Sequence, residues 1–129
     1  MKMRADRIEG QNAIARHGTE GVAVNGVEHR HSVVVPWLGE VRPWDATSFE
    51  SLEAEHFASL AALGPELVIF GSGGRLRFPP TRVLSPLIDA RIGIETMDTP
   101  AACRTYNVLL AEGRSVVAAL LFDAAGSRA

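Results

Sequence analysis

The sequence has little cysteine, little net charge and no long apolar run. Its 129 residues include one cysteine, so an internal disulfide cannot form and a cysteine-rich scaffold is excluded. The formal net charge of −2 gives no global field that would attract DNA, RNA or anionic lipid. The apolar run near the C-terminus, SVVAALLF, is far shorter than the roughly 20 residues needed to cross a bilayer. We therefore expect neither nucleic-acid partners nor a transmembrane segment.

The N-terminal decapeptide, MKMRADRIEG, mixes charges of both signs and has no apolar segment. It is therefore unlike a signal peptide, and transit peptides are poor in acidic residues. We expect a soluble protein that is cytoplasmic in a bacterium. The length and the 47% hydrophobic content favour one domain with a substantial core. We assign residues 11–123 to a single α/β domain, residues 1–10 to a flexible lead-in and residues 124–129 to a tail.

The segment from Asn12 to Pro36 has the pattern of short strands. NAIARHG alternates in polarity, glycines bracket GVAVNG, and HSVVVP is rich in β-branched residues. The dipeptide Asn25-Gly26 favours a tight hairpin, because both residues tolerate positive φ. We predict an antiparallel β meander for this part of the chain.

Helices and strands alternate in the rest of the chain. Thr47 and Glu50 fit a capping box at the start of a long helix, which Gly64-Pro65 ends. From residue 66 to residue 122 the order is strand, helix, strand, helix, strand. This order predicts at least two parallel strands that are joined by right-handed crossovers.

The segment GIETMDTPAACRTYNVLLAEGR, residues 93–114, raises the question of an active site. Thr99 is a good N-cap, Pro100 suits the first position of a helix, and Gly113 suits the position just after its end. The helix is expected to bury one apolar stripe, formed by Ala102, Tyr106, Leu109 and Leu110. This pattern favours a helix packed against a sheet.

Cys103, the only cysteine, lies at the edge of this stripe beside Asn107. A nucleophilic cysteine needs a lowered pKa, usually from an adjacent histidine or cation. Arg104 points elsewhere on the helix, and no histidine is near in the sequence. We therefore interpret Cys103 as a half-buried, small apolar residue, and we assign no catalytic residue in the chain.

A glycine-rich turn, GSGGR, follows an apolar strand. Glycines let backbone N–H groups approach an anion, and an arginine would supply charge. The turn matches neither the dinucleotide-binding fingerprint nor the P-loop, so a plain loop is the simpler interpretation. If the ends of two parallel strands are neighbours here, a candidate pocket for an anion or small molecule comprises Gly71, Ser72, Gly73, Gly74, Arg75, Asp98 and Cys103.

Two further pairs of residues are candidates for binding. His29 and His31 share a strand face, but a metal site would need further ligands from elsewhere, and we predict neither a metal nor a cofactor. Trp37 and Trp44 lie in the irregular segment PWLGEVRPWD. Tryptophan is enriched at interfaces, so both are candidate partner contacts, although they could equally cover the open edge of the sheet.

Three segments, VIFGSGGRLRFPP, GIETMDTPAACRTYNVLLAEGR and VVAALL, resemble a small α/β domain family. That family includes mitochondrial complex I assembly factor 3 and the adipogenesis-associated human domain protein. The resemblance implies three layers, with a mixed central β-sheet, helices on one side and the N-terminal β meander on the other. The family offers no established catalytic residues to transfer. Positions that match its signature are Gly71, Gly73, Met97, Asp98, Ala102, Cys103, Tyr106, Asn107 and Glu112.

Two functional hypotheses follow. The resemblance favours a non-catalytic binding protein, an assembly factor for respiratory complex I (NADH:ubiquinone oxidoreductase) with respiratory-complex subunits as partners. Its contacts would come from the Trp37–Trp44 loop and from the rim between Gly71 and Arg77. The alternative is a small-molecule or anion-binding protein, or an enzyme, that uses the GSGG loop near Asp98 and Cys103. The sequence leaves open whether the chain is a monomer or a homodimer.

Overall fold

The computed structural model describes residues 10–122, so the predicted lead-in (1–10, apart from Gly10) and tail (124–129) lie outside the described residues. The strands are β1 (Ile14–His17), β2 (Val22–Val24), β3 (Val27–His29), β4 (Val33–Pro36), β5 (Arg42–Pro43), β6 (Leu67–Gly71), β7 (Gly93–Met97) and β8 (Val116–Leu120). The helices are a 3₁₀ turn (Phe49–Ser51), α1 (Ala54–Ala61), α2 (Thr81–Asp89) and α3 (Thr99–Ala111). None of these helices is long and apolar enough to cross a membrane.

The first three strands form an antiparallel sheet of their own, in the order β1-β2-β3. Asn25 and Gly26 connect β2 to β3 with φ angles of 52° and 84°, in the left-handed region that these residue types tolerate best. Val24 pairs with Val27 across this turn. The predicted hairpin is therefore confirmed, and the predicted meander is confirmed for β1 to β3. The last strand of that prediction, in HSVVVP, is β4, which pairs with β5 and β8 in a second sheet instead.

A five-stranded sheet, in the order β5-β4-β8-β6-β7, forms the centre of the domain. β4 runs antiparallel to both β5 and β8. β6 runs parallel to both of its neighbours, β7 and β8. The sheet is therefore mixed, with two parallel pairs, as the alternation of strands and helices predicts. Almost every residue of β6 and β8 is buried, because both faces of the sheet are covered.

The central sheet supplies side chains to two hydrophobic clusters, one on each face. One cluster includes Ile69 and Tyr106 and lies between the sheet, α3 and the meander. The other includes Phe57 and Phe70 and lies between the sheet, α1 and α2. The predicted α/β class is confirmed, as is the mixed central sheet with the meander on one of its faces.

The family resemblance implied that all helices lie on one side of the sheet. In the structure they lie on both sides. α1 and α2 cover one face, whereas α3 lies on the opposite face beside the meander. β7 is on one side of β6 and β8 is on the other, so the two crossovers run in opposite directions across the sheet. Right-handed crossovers in opposite directions place their helices on opposite faces. The strand order therefore explains the position of α3.

The predicted first helix begins later than its sequence pattern indicates. The 3₁₀ turn comes first, and it is capped by the hydroxyls of Ser48 and Ser51 instead of by Thr47 and Glu50. Leu52 is extended, with φ −63° and ψ 133°, and is buried in the cluster below α1 and α2. Burial of this side chain outweighs the helical propensity of the segment and separates the turn from α1.

Candidate functional site

The carboxyl ends of β6 and β7 meet at one edge of the central sheet. Gly71 pairs with Met97 in the parallel register, and the Ser72 amide donates a hydrogen bond to the Met97 carbonyl over 2.9 Å. The two strand ends are therefore neighbours, which meets the condition stated for the candidate pocket. Along the glycine-rich turn, Gly71, Ser72 and Gly73 are buried, whereas Gly74 and Arg75 are exposed. The turn thus starts inside the domain and reaches the surface at its fourth residue.

Thr99, the first residue of α3, fills the space beside this turn. Its hydroxyl oxygen accepts a hydrogen bond from the Gly73 amide (2.9 Å) and donates one to the Leu121 carbonyl (2.6 Å). The Thr99 amide donates to the Gly73 carbonyl over 2.8 Å. Only 2% of Thr99 is exposed, so these bonds are shielded from water. The Gly73 amide, a candidate donor to an anion, is therefore bonded within the fold.

Gly71 allows α3 to approach β6 closely. A β-carbon at this position would lie 2.9 Å from the hydroxyl oxygen of Thr99 and 3.0 Å from a methyl carbon of Leu120. Real side chains essentially never show a contact as short as the first of these. The missing side chain at Gly71 thus serves the packing of helix against strand.

The hydroxyl of Ser72 closes the loop between β6 and α2. It donates a hydrogen bond to the Arg75 carbonyl over 2.6 Å and accepts one from the Arg77 amide over 3.0 Å. Ser72 is fully buried, whereas Leu76, which lies between the two bonded residues, is 51% exposed. The closed base of the loop therefore presents Leu76 to solvent.

Arg77 fastens the loop to the segment before α1. Its Nη2 donates to the Ser72 carbonyl over 2.8 Å, and its Nη1 lies 3.6 Å from a carboxylate oxygen of Glu50. The guanidinium carbon lies 4.7 Å from the ring centre of Phe49, which is a cation–π distance. The buried Nε has no hydrogen-bond partner among the described residues. The sequence indicates Arg77 only as the end of the rim, because no local pattern links it to Glu50 or Phe49.

Asp98 is the N-cap of α3. Its carboxylate accepts a hydrogen bond from the Ala101 amide over 2.9 Å. The sequence pattern assigned this cap to Thr99, and that assignment is wrong by one residue. Both residue types are good caps, so local preference does not separate them; the Thr99 side chain turns inward to its bonds with Gly73 and Leu121.

Cys103 lies within the hydrophobic cluster between α3 and the sheet, rather than at the edge of the helix stripe. Its side chain is 0% exposed. Burial raises the pKa of the thiol to about 12, against a smaller opposing effect of the Arg104 charge. A thiol with so high a pKa is a poor nucleophile at neutral pH. The interpretation as a small apolar residue agrees with this position, and the burial is deeper than expected.

Tyr106 and Asn107 attach α3 to the N-terminal segment. The Tyr106 hydroxyl donates to the Asn12 carbonyl over 2.7 Å, and the Pro36 carbonyl lies 3.1 Å away. Burial raises the pKa of Tyr106, which favours the neutral, hydrogen-bond-donating phenol. The Asn107 side chain pairs with both backbone groups of Ile14, accepting from its N–H (2.9 Å) and donating to its C=O (2.7 Å). The partners Asn12 and Ile14 are 94 and 93 residues away in the sequence and Pro36 is 70 away, so no local signal indicates them.

The two tryptophans differ in exposure. Trp44 is 4% exposed, its ring centre lies 6.0 Å from that of Phe70, and its indole N–H donates to the His56 carbonyl over 3.2 Å. Trp44 is therefore a core residue with little surface for a partner. Trp37 is partly buried and packs against both hydrophobic clusters, and Leu38 beside it is 43% exposed.

His29 and His31 form a ring pair on the meander, with centroids 6.1 Å apart and planes nearly perpendicular. Partial burial lowers the pKa of His29, and the charge of His31 lowers it further. Within residues 10–122, no group of three or more histidine, cysteine, aspartate or glutamate side chains is placed to hold a metal ion.

A mixed sheet, helices on both of its faces, an N-terminal meander and a glycine-rich turn bonded to the start of α3 define a class of small α/β domains. The chain belongs to the family described as protein of unknown function (DUF498/DUF598), whose model matches residues 14–121. This range includes the glycine-rich turn and the whole of α3. The family membership indicated by the sequence segments is therefore confirmed.

The chain is similar to NADH dehydrogenase (ubiquinone) 1 alpha subcomplex assembly factor 3 of Danio rerio, at 36% identity over 87 residues, 66% of this chain and 50% of that protein. The chain spans about half the length of the curated relatives of this name that it matches first. An uncharacterised protein of Rhodobacter capsulatus is 32% identical over 123 residues, 94% of this chain and 93% of that one. A crystal structure of a Bordetella parapertussis protein has a TM-score of 0.84 and 35% identity, covering 91% of this chain and 100% of that chain.

Proposed function

We propose that this protein is a non-catalytic, cytoplasmic binding protein that assists the assembly of respiratory complex I. The observation that carries the proposal is that the candidate reactive groups either form hydrogen bonds within the fold or are buried in it. Ser72 and Asp98 bond to backbone groups of their own loop and helix, Cys103 is buried, and the Tyr106 hydroxyl holds the N-terminal segment. Side chains engaged in this way are poorly placed for acid–base or nucleophilic chemistry.

The choice of partner is supported by the relatives named as complex I assembly factor 3. An assembly factor acts by binding subunits and has no need of a catalytic constellation. Such a role is consistent with a domain whose polar side chains form hydrogen bonds between its own strands and helices. The alternative, an anion-binding protein or enzyme, receives no support from these contacts, because the Gly73 amide already bonds to Thr99.

The proposed partner contacts lie at two places on the surface. The first is the Trp37–Trp44 loop, where Leu38 is 43% exposed beside the partly buried Trp37. The second is the rim from Gly71 to Arg77, which exposes Leu76. Tryptophan is enriched among the anchors of protein interfaces, and the contacts around an anchor contribute by excluding water. We expect Trp44 to contribute only by supporting the loop from inside.

Affinity purification from cells that express the protein naturally tests this proposal. The full chain, carrying a tag, should recover subunits of NADH:ubiquinone oxidoreductase in amounts comparable to its own, and an untagged control should not. Leu38→Ser should lower the recovery at least about fivefold, as expected for an interface anchor. Val108→Ser is the matched control, because Val108 is 57% exposed on the outer side of α3. Absence of these subunits from the wild-type preparation would contradict the proposal.

A further inference from the structure

The loop between β6 and α2 exposes two large apolar side chains that are flanked by arginines. Phe78 is 67% exposed and Leu76 is 51% exposed. Arg75 precedes them and Arg82 follows them, and both are exposed. Exposed aromatic and aliphatic groups beside basic residues form the pattern of a segment that enters the interface of a membrane.

The sequence of this loop is basic, although the protein as a whole is not. From Leu67 to Ile88 the sequence has three arginines and no acidic residue, against a net charge of −2 for the chain. Arg77 lies near Glu50, but Arg75 and Arg82 form no ion pair with a described acidic residue. The first turn of α2 also lacks an acidic residue, so the positive end of its dipole adds to the local potential.

We propose that residues 74–82 dock on an anionic lipid surface. Leu76 and Phe78 enter the headgroup region, and Arg75 and Arg82 contact lipid phosphates. Charge complementarity favours this partner over a neutral bilayer, since each basic residue near an anionic surface contributes to binding. The proposal rests on the exposure and charge of this loop. It assigns Leu76, which the rim above offered to a subunit, to lipid instead, and it leaves the Trp37–Trp44 loop as the contact with complex I subunits.

A lipid surface suits the loop better than a protein partner does. Two exposed apolar side chains cover far less than the roughly 800 Å² per partner that a stable protein interface requires. Reversible binding to a membrane surface needs only a few inserted apolar groups together with basic residues. The loop is also well ordered for this purpose, because Ser72 bonds to both Arg75 and Arg77 and the proline at position 79 restrains the chain after Phe78. Insertion then costs little conformational entropy.

Co-sedimentation of the full chain with vesicles tests the proposal. The wild-type protein should bind phosphatidylcholine vesicles that contain phosphatidylglycerol and should not bind pure phosphatidylcholine. Binding should be lost near 1 M salt, where the Debye length is about 3 Å. The double variant Arg75→Gln with Arg82→Gln should bind about 25-fold more weakly, or about fivefold for each arginine. Phe78→Ser should bind on the order of tenfold more weakly.

Val108→Ser is the control for loss of an exposed apolar side chain elsewhere, since Val108 is 57% exposed on α3. It should bind vesicles as the wild type does. Phe78→Trp provides a second measurement that needs no loss of function. Its fluorescence should shift to the blue on addition of anionic vesicles, and lipids brominated near the headgroup should quench it.

Three results would overturn the proposal. They are failure of the wild-type protein to bind anionic vesicles, equal weakening by Val108→Ser and Phe78→Ser, and an unchanged Phe78→Trp spectrum. Capture of a protein partner that depends on Phe78, without any vesicle binding, would also overturn it and assign the loop to a protein contact. The vesicle assay contains no other protein, so its failure leaves the complex I proposal intact.

Discussion

The hydroxyl oxygen of Thr99 accepts a hydrogen bond from the Gly73 amide over 2.9 Å. Gly73 lies in the glycine-rich turn whose sequence suggests an anion-binding site. The same hydroxyl donates to the Leu121 carbonyl, so it connects the ends of β6 and β8 to the start of α3. A glycine-rich turn after a buried strand is therefore not by itself an anion site. In this chain the turn forms hydrogen bonds with the first residue of α3 instead.

Thr99→Val tests the structural value of this connection. The two side chains have nearly the same shape, but valine leaves the Gly73 N–H and the Leu121 C=O without a partner in a buried place. We expect the free energy of unfolding to fall by about 2 to 4 kcal/mol, measured by urea denaturation. Thr47→Val, at an exposed position, should change it by less than about 0.5 kcal/mol. Equal midpoints for the two variants would show that the Thr99 bonds contribute little.

Gly71→Ala tests the close approach of α3 to β6. The added methyl group would lie 2.9 Å from the Thr99 hydroxyl oxygen, so either the helix or the strand must shift. We expect a loss of about 1 to 3 kcal/mol of stability, as in other overpacked cores. Gly18→Ala is the control, because a β-carbon there would have no neighbour within 4 Å. A Gly71→Ala protein as stable as the control would refute the packing role.

Cys103 should be unreactive in the native protein. The thiol is fully buried and its pKa is raised to about 12, so a thiol reagent at neutral pH should modify it only as fast as the protein unfolds. In denaturant, the single thiol should react completely within seconds to minutes. Rapid modification under native conditions, without loss of structure, would contradict the assigned position.

Because of the same thiol, the free energy of unfolding should vary with pH in the alkaline range. The pKa of an unperturbed thiol is 9.0 and burial raises the pKa of Cys103 to about 12, so the folded state binds the proton more tightly than the unfolded state. The resulting stability is present below pH 9 and is lost as the pH rises toward 12. Cys103→Ala should therefore lose stability less steeply over this range in urea titrations. Identical slopes for the variant and the wild type would count against this linkage.

Asn107→Asp tests the attachment of α3 to β1. A carboxylate can accept a hydrogen bond from the Ile14 N–H, but it cannot donate to the Ile14 C=O and repels it. We expect a loss of about 1 to 3 kcal/mol at neutral pH. The repulsion raises the folded pKa of the carboxyl group, so the loss should be smaller below about pH 4, where the group is protonated in both states.

Val108→Asp introduces the same charge at an exposed position on the same helix. Thermal unfolding followed by circular dichroism at several pH values should show a small change, nearly independent of pH. A similar pH dependence in both variants would mean that helix charge, rather than the contact with Ile14, controls the stability of Asn107→Asp.

Local features of the fold were predictable because short-range interactions determine them. Asn25-Gly26 forms the expected hairpin, with both φ angles positive. Gly113 follows α3 with φ 82°, and the amides of Gly113 and Arg114 bond to the carbonyls of Leu110 and Leu109, as expected at a helix end. The parallel strands followed from the alternation of strand and helix, which requires crossovers.

Features that depend on distant contacts were not predictable. Trp44 is in the core because its indole reaches the His56 carbonyl and the Phe70 ring, and an irregular loop gives no sign of this. The face occupied by α3 depends on the order of strands, which the order of elements in the sequence does not specify. The exposure of Leu76 goes with the closed base that Ser72 forms by bonding to Arg75 and Arg77, whereas the sequence RLRFPP shows only that apolar residues lie near arginines.

The amount of assembled NADH:ubiquinone oxidoreductase in cells that lack this protein tests the proposed function most directly. Native gels of membranes should show less of the complete enzyme and more partial assemblies in the deletion strain. Expression of the wild-type chain or of Val108→Ser should restore the complete enzyme, and Leu38→Ser should restore it only in part. An unchanged amount of complete enzyme in the deletion strain would contradict a role in its assembly.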